Sequence, residues 1–233
     1  MKRKSIKLGL CLCSTMFLMC GAWGEDTDSD ATSSPLSILK GLEKKYSKVT
    51  TIQGSFKQTR VDNTFGETIA TNGTFWLSKP DKLRVEYAAP HQSTDLFADG
   101  AAYQYVPKLN QVTMLRFRNE NTPMDLNFLL LGFGAKAERI QQVYNVKSPK
   151  KKAPQGKLGM RFIPKDTKQA NFKDFELLVD AETLTPTSFS FIGIDGTSTK
   201  AVLNQKDLKI DDPISSKRFI PHWPDKTRVV ELE

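Results

Sequence analysis

The chain has 233 residues and a formal net charge of +8, with 34 Lys and Arg against 26 Asp and Glu. Four of those positive charges (Lys2, Arg3, Lys4 and Lys7) fall in the first seven residues, and no acid precedes Glu25. Without residues 1–24 the excess is only +4, too weak to argue for a nucleic-acid partner. A hydrophobic fraction of 39% and a charged fraction of 26% exclude bulk disorder.

Residues 1–24 read as a secretory signal peptide. The four cations form its charged head. Leu8 to Cys20 is an apolar run of thirteen residues, and Ala22-Trp23-Gly24 offers small residues for cleavage before Glu25. Cys20 is a poor lipidation site, because bulky Met19 precedes it. All three cysteines (Cys11, Cys13, Cys20) lie in this segment, so a chain starting at Glu25 has neither disulfides nor thiolate metal sites.

Residues 25–34 are acidic and Ser/Thr-rich, and are expected to be a disordered leader. Ser34-Pro35 then starts a helix. Ile38, Leu39, Leu42 and Tyr46 give it one apolar face. From Thr50 the period becomes two. Strands are expected around Ile52–Gln58, Thr68–Leu77, Leu83–Tyr87, Asp95–Ala98, Ala101–Val106 and Gln111–Phe117. Asp99-Gly100 marks a tight hairpin. Asn121-Thr122-Pro123 caps a second helix, 123–132, that is apolar nearly all round and is stopped by Gly132. Further strands are expected at Gln142–Lys147, Lys157–Pro164, Phe172–Val179, Thr187–Ile192 and Thr197–Ile210, with Asp195-Gly196 as another hairpin. Asp211-Asp212 with Pro213 reads as the cap of a third, short helix, and Arg228–Leu232 closes the chain. One domain of ten or eleven antiparallel strands with three helices follows. The basic, proline-containing stretch Lys147–Lys157 is a solvated loop or a docking patch for anionic groups.

Catalytic signatures are missing. His91 and His222 each stand beside a proline without metal-ligand spacing, and no nucleophile elbow, P-loop or dinucleotide fingerprint occurs. The chain is therefore expected to be no enzyme and to need no cofactor. What it offers is apolar surface: 13 Phe, 5 Tyr and 2 Trp follow residue 24. Phe56, Phe75, Leu83, Val85, Tyr87, Leu96, Tyr103 and Tyr105 recur on alternate strand positions. A curved sheet carrying them either packs its concave face solid or leaves a cavity. Periodicity does not choose between the two, and helix 123–132 is equally a buried core helix or a lid.

An ordered set of short segments narrows the choice. Gln53-Gly54-Ser55-Phe56-Lys57-Gln58 is followed by Gly73-Thr74-Phe75-Trp76-Leu77, Lys79-Pro80 and Leu83-Arg84-Val85-Glu86-Tyr87. Pro90, Asp99-Gly100, Tyr103-Gln104-Tyr105-Val106-Pro107 and Gln111-Val112 come next. In order and spacing, over about 70 residues, this resembles the periplasmic carriers of outer-membrane lipoproteins, the LolA family. The resemblance implies a mainly β fold: an incomplete, half-open antiparallel barrel of about eleven strands under a lid of about three helices. It implies a single carrier domain over 35–233, located in the periplasm and acting as a monomer. The eight residues above would line the acyl cavity, Met124, Phe128 and Leu129 would belong to the lid, and Lys79 would contact it. Family members typically carry Arg where Lys79 stands, and Lys lacks the planar fork of Arg. Implied partners are acylated lipoproteins, an ATP-driven inner-membrane transporter that loads them, and an outer-membrane receptor, LolB, that takes them. A LolB-like receptor and a periplasmic lipoprotein-binding sensor are the alternatives.

Overall fold

The computed structural model describes residues 34–63, 65–117, 131–167, 170 and 172–232. The stretch expected as a signal peptide (1–24), all but Ser34 of the expected leader 25–34, and Met124, Phe128 and Leu129, expected in a lid, lie outside the described residues.

Among the described residues thirteen strands form one sheet. In chain order they are β1 (Thr51–Val61), β2 (Thr68–Ser78), β3 (Lys82–Tyr87), β4 (Ser93–Ala98), β5 (Ala101–Val106), β6 (Gln111–Arg116), β7 (Tyr144–Lys147), β8 (Lys157–Pro164), β9 (Phe172–Asp180), β10 (Pro186–Gly193), β11 (Ser198–Leu203), β12 (Lys209–Ile210) and β13 (Arg228–Leu232). Two α-helices are described, α1 (Pro35–Tyr46) and α2 (Ala137–Val143). The sheet runs β13-β6-β5-β4-β3-β2-β1-β11-β10-β9-β8-β7, with β12 beside β1. It is open: β13 and β7 are its two edges and do not pair with each other.

Local chemistry explains most of this order. The β4–β5 turn holds Asp99 and Gly100 at φ 51° and 74°, the left-handed pair that a two-residue hairpin demands. In α1, the Ser34 side chain accepts from the Ser37 amide and Pro35 occupies the first turn. Its buried face is Ile38, Leu39, Leu42 and Tyr46. The long β1–β2 ladder pairs Gly54 with Phe75 and Phe56 with Gly73. Each ring thus lies over a glycine, and a Cβ on Gly73 would sit 2.3 Å from the Phe56 ring. Glycine opposite an aromatic gives the ring room to cover the backbone.

Several expectations need correction. The sheet has thirteen strands rather than about eleven, and it is not wholly antiparallel: β13 pairs parallel with β6. Among the described residues there are two α-helices, and most of the expected helix 123–132 lies outside them. The stretch expected as a strand from Gln142 begins as helix, because Ala137 and Ile140 are buried on one face of α2. The α2 start has no local side-chain cap, and Glu43 of α1 supplies one, its Oε2 accepting from the Ala137 amide at 3.1 Å. The strand expected over Thr197–Ile210 is broken into β11 and β12, with Asp207 accepting from the Asn204 and Ser55 side chains at the break. No helix starts at Asp212. Asp211 accepts from the Thr50 amide at 2.8 Å and Asp212 from Gln53 Nε2 at 2.7 Å, so both acids tie the C-terminal segment to β1. The only helical turn there is a 3-10 turn at Ser216–Phe219.

The main core lies on the inner, concave face. Ile52, Phe75 and Leu77 belong to one buried cluster with Phe175, Leu177 and Val179 from the other half of the sheet, and α1 and α2 pack against each other and against β7, α1 also against β8. Leu131 and Phe133 are fully buried in this core. Phe133 touches Tyr46 edge-on at 5.5 Å between ring centroids, Phe75 at 6.3 Å and Phe189 at 6.5 Å. A second, smaller core forms on the convex face, where Leu96, Ala98 and Phe219 pack with Trp76, Tyr103, Ile214 and Trp223. Arg218 lies 4.0 Å over the Trp76 ring and helps hold this C-terminal segment to the back of the sheet.

Candidate functional site: an apolar cavity in the concave face

The concave face is not filled. A cavity of about 310 Å³ remains, walled by Phe56, Phe75, Leu83, Val85, Tyr87 and Phe97 on one side and by Phe175, Phe189, Phe191, Ala201 and Leu203 on the other. The wall comes from β1–β4 facing β9–β11, which the curl of the sheet brings opposite each other. Its volume is at the lower end of the ~300–1,000 Å³ range of small-molecule sites. Phe56 and Tyr87 meet edge-on at 5.8 Å. Among its lining residues Gln58, Asp95 and Tyr87 carry polar side-chain atoms.

Five of the eight residues expected to line a cavity do line this one: Phe56, Phe75, Leu83, Val85 and Tyr87. Leu96, Tyr103 and Tyr105 do not. Leu96 pairs with Tyr103 on the convex face, and Tyr103 and Tyr105 stack against Trp223 at 6.2 and 5.3 Å. The inward residues of β4 are Asp95 and Phe97, in register with Val85 and Leu83. Both faces of β4 are partly buried, so Leu96 and Phe97 are equally apolar neighbours and alternation alone does not say which points inward. The β9–β11 wall of Phe175, Phe189, Phe191, Ala201 and Leu203 is not among the residues expected from sequence. Their period-two spacing was visible, but which half of the sheet they would oppose was not.

Lys79 is engaged with a helix. Its Nζ donates to the Tyr46 carbonyl at 2.7 Å, capping the last turn of α1. Burial pulls its pKa below the ordinary lysine value, opposed by the charge of Asp211. The basic loop is partly tied down as well. Lys150 Nζ pairs with Asp174 at 2.7 Å, and Arg161 pairs with the same carboxylate oxygen at 2.6 Å. Burial pushes Asp174 up, but the Arg161 and Lys150 hydrogen bonds and charges outweigh it and hold the carboxyl below its usual range. Lys151 and Lys152 are exposed. His91 and His222 are exposed too. Among the described residues no group of three or more His, Cys, Asp or Glu is placed to hold a metal, and no helix is long and apolar enough to cross a membrane.

The described residues thus form an open, curled β-sheet with an apolar cavity between its two halves. The model of the family "Outer membrane lipoprotein carrier protein LolA" matches residues 47–219, most of the chain. The chain belongs to the LolA family. It is 31% identical over 99 residues to an outer-membrane lipoprotein carrier protein of Methylococcus capsulatus, covering 42% of this chain and 44% of that one. It is 35% identical over 77 residues to the protein of the same name from Halorhodospira halophila, covering 33% and 36%. The chain thus spans less than half the length of the curated relatives it matches. Among solved structures, a LolA superfamily protein from Nitrosomonas europaea superposes with a TM-score of 0.43 at 12% identity, over 81% of this chain and 98% of that one.

Proposed function

We propose that this protein carries lipoproteins across the periplasm by enclosing their acyl chains in the concave cavity. The observation that carries the reading is the cavity itself, enclosed by aromatic and aliphatic side chains from both halves of the sheet in a chain of the LolA family. Exposing a buried methylene to water costs about 0.8 kcal/mol, so one chain of about fifteen methylenes costs roughly 12 kcal/mol. A lipoprotein bearing such chains needs a dry compartment between membranes. The open edges of the sheet suit a compartment that widens to load and unload, since no ladder of hydrogen bonds closes β7 onto β13. An inner-membrane ATP-driven transporter as the source and an outer-membrane receptor as the acceptor complete this reading. The protein acts as a carrier and not as a catalyst, and residues 1–24 direct its export.

Ala201 gives the direct test. It lines the cavity between Gln58 on β1 and Phe189 on β10, both in register with it. Ala201→Trp places an indole where an acyl chain would lie. We expect at least a tenfold loss of affinity for a fluorescent lipopeptide, with the circular dichroism spectrum unchanged. Ala201→Leu is expected to give a smaller loss in the same direction. Unchanged affinity in both folded variants would move the binding site away from the cavity.

A further inference from the structure

The apolar cavity adjoins a polar cleft of about 660 Å³, and Gln58, Tyr87, Asp95 and Phe191 line both. Asp95 therefore stands at the seam between a dry compartment and a wet one. An amphiphile with its chains in the cavity would leave its head group at this seam. Asp95 is in register with Gln104 of β5, whose Nε2 donates to Oδ1 at 3.1 Å. Among the described residues that is its one hydrogen bond, and no cation is paired with it. An ionised carboxylate offers about four acceptor sites and no donor, so most of its capacity faces the seam unused. The charged and titratable groups around the cleft are Arg60 of β1, Tyr87 of β3, His91 of the β3–β4 turn and Asp195 of the β10–β11 turn. Arg60 is turned to Asp195, at 3.9 Å. A carboxylate so placed repels phosphate and carboxylate head groups, and gains most from a cation, because charge-assisted hydrogen bonds strengthen as water is excluded.

We propose that Asp95 anchors a primary ammonium group carried beside the acyl chains, so that the cavity prefers a diacylglyceryl cysteine with a free α-amine over its N-acylated form. This rests on the acyl-carrier reading and names the class of lipoprotein that reading leaves open. An aminophospholipid carries the same ammonium, but with a phosphate next to it that Asp95 disfavours. Burial pushes the Asp95 carboxyl up to about 6, against a smaller opposing effect of the Gln104 hydrogen bond. A peptide α-amine titrates near ~7.7–8.0. Both partners are charged between those values, and the pair fades below the window as Asp95 takes a proton and above it as the amine loses one.

The test compares two neutral-sequence lipopeptides, each S-dipalmitoylglyceryl, one with a free α-amine and one N-acetylated, by calorimetry on the purified protein. At pH 7 the free amine is expected to bind about tenfold more tightly. The preference should vanish in Asp95→Asn, which keeps the shape and loses the charge. It should also vanish in the unmodified protein at pH 4.5, so the result does not depend on the variant folding. Equal affinities at pH 7, or a preference that survives Asp95→Asn, would overturn the assignment. Dipalmitoyl phosphatidylethanolamine binding as tightly as the free-amine lipopeptide would overturn it in favour of an aminophospholipid. If neither lipopeptide binds the folded protein, the carrier reading itself falls, and the Asp95 assignment with it.

Discussion

Phe133→Ala is expected to lower the free energy of unfolding by about 3–5 kcal/mol, the cost of deleting a fully buried phenyl ring. Against a total stability of roughly 5–15 kcal/mol this is a large fraction. The ring joins three parts of the molecule that are far apart in sequence: Tyr46 at the end of α1, Phe75 in β2 and Phe189 in β10. Its removal takes away one shared contact from the helix and from both halves of the sheet. The site can collapse little, because Gly132 beside it already lies against Phe189 and Pro186. Urea denaturation read by fluorescence would measure the loss. A change under 1 kcal/mol would mean that α1 and the two sheet halves are not joined through this ring.

Gly134→Ala is expected to cost about 2–4 kcal/mol for a different reason. The backbone there has φ +89°, a conformation that side-chain-bearing residues rarely adopt. A Cβ would also stand 2.6 Å from the Tyr46 Cβ and 3.3 Å from the Leu42 carbonyl oxygen, neither of which can swing aside. Gly156 supplies the control, since its φ is +72° but nothing lies within 4 Å of an added Cβ. Gly156→Ala should cost only the backbone part. Equal melting temperatures for the two variants would show that α1 does not press on Gly134.

These two residues also show where sequence reading stops. The hairpins at Asp99-Gly100 and Asp195-Gly196 were legible because their turn chemistry is local. The apolar faces of α1 and of β1–β3 followed from period. Long-range pairing was not legible. Nothing near Lys136 announces α2, whose first amide is capped by Glu43, 94 residues away in the chain. The parallel docking of β13 on β6 likewise rests on a contact between distant segments. The same limit explains the cavity wall. Phe56 over Gly73 and Phe75 over Gly54 could be anticipated from a hairpin, and five of the proposed lining residues lie on that hairpin and the strand beside it. Alternation and the family resemblance point Leu96, Tyr103 and Tyr105 inward, but the C-terminal segment with Phe219 and Trp223 builds a second apolar layer on the convex side. Asp95, which faces inward in their place, carries a charge that a hydrophobic pattern directs to solvent.

If the concave cavity holds acyl chains, native mass spectrometry will detect the loaded protein. The purified protein would be mixed with a lipopeptide and, separately, with the same peptide lacking its acyl chains. The expected result is a water-soluble 1:1 complex with the lipopeptide, none with the bare peptide, and loss of the complex in Ala201→Trp. A folded protein that forms no complex, or one that binds both peptides alike, would contradict it.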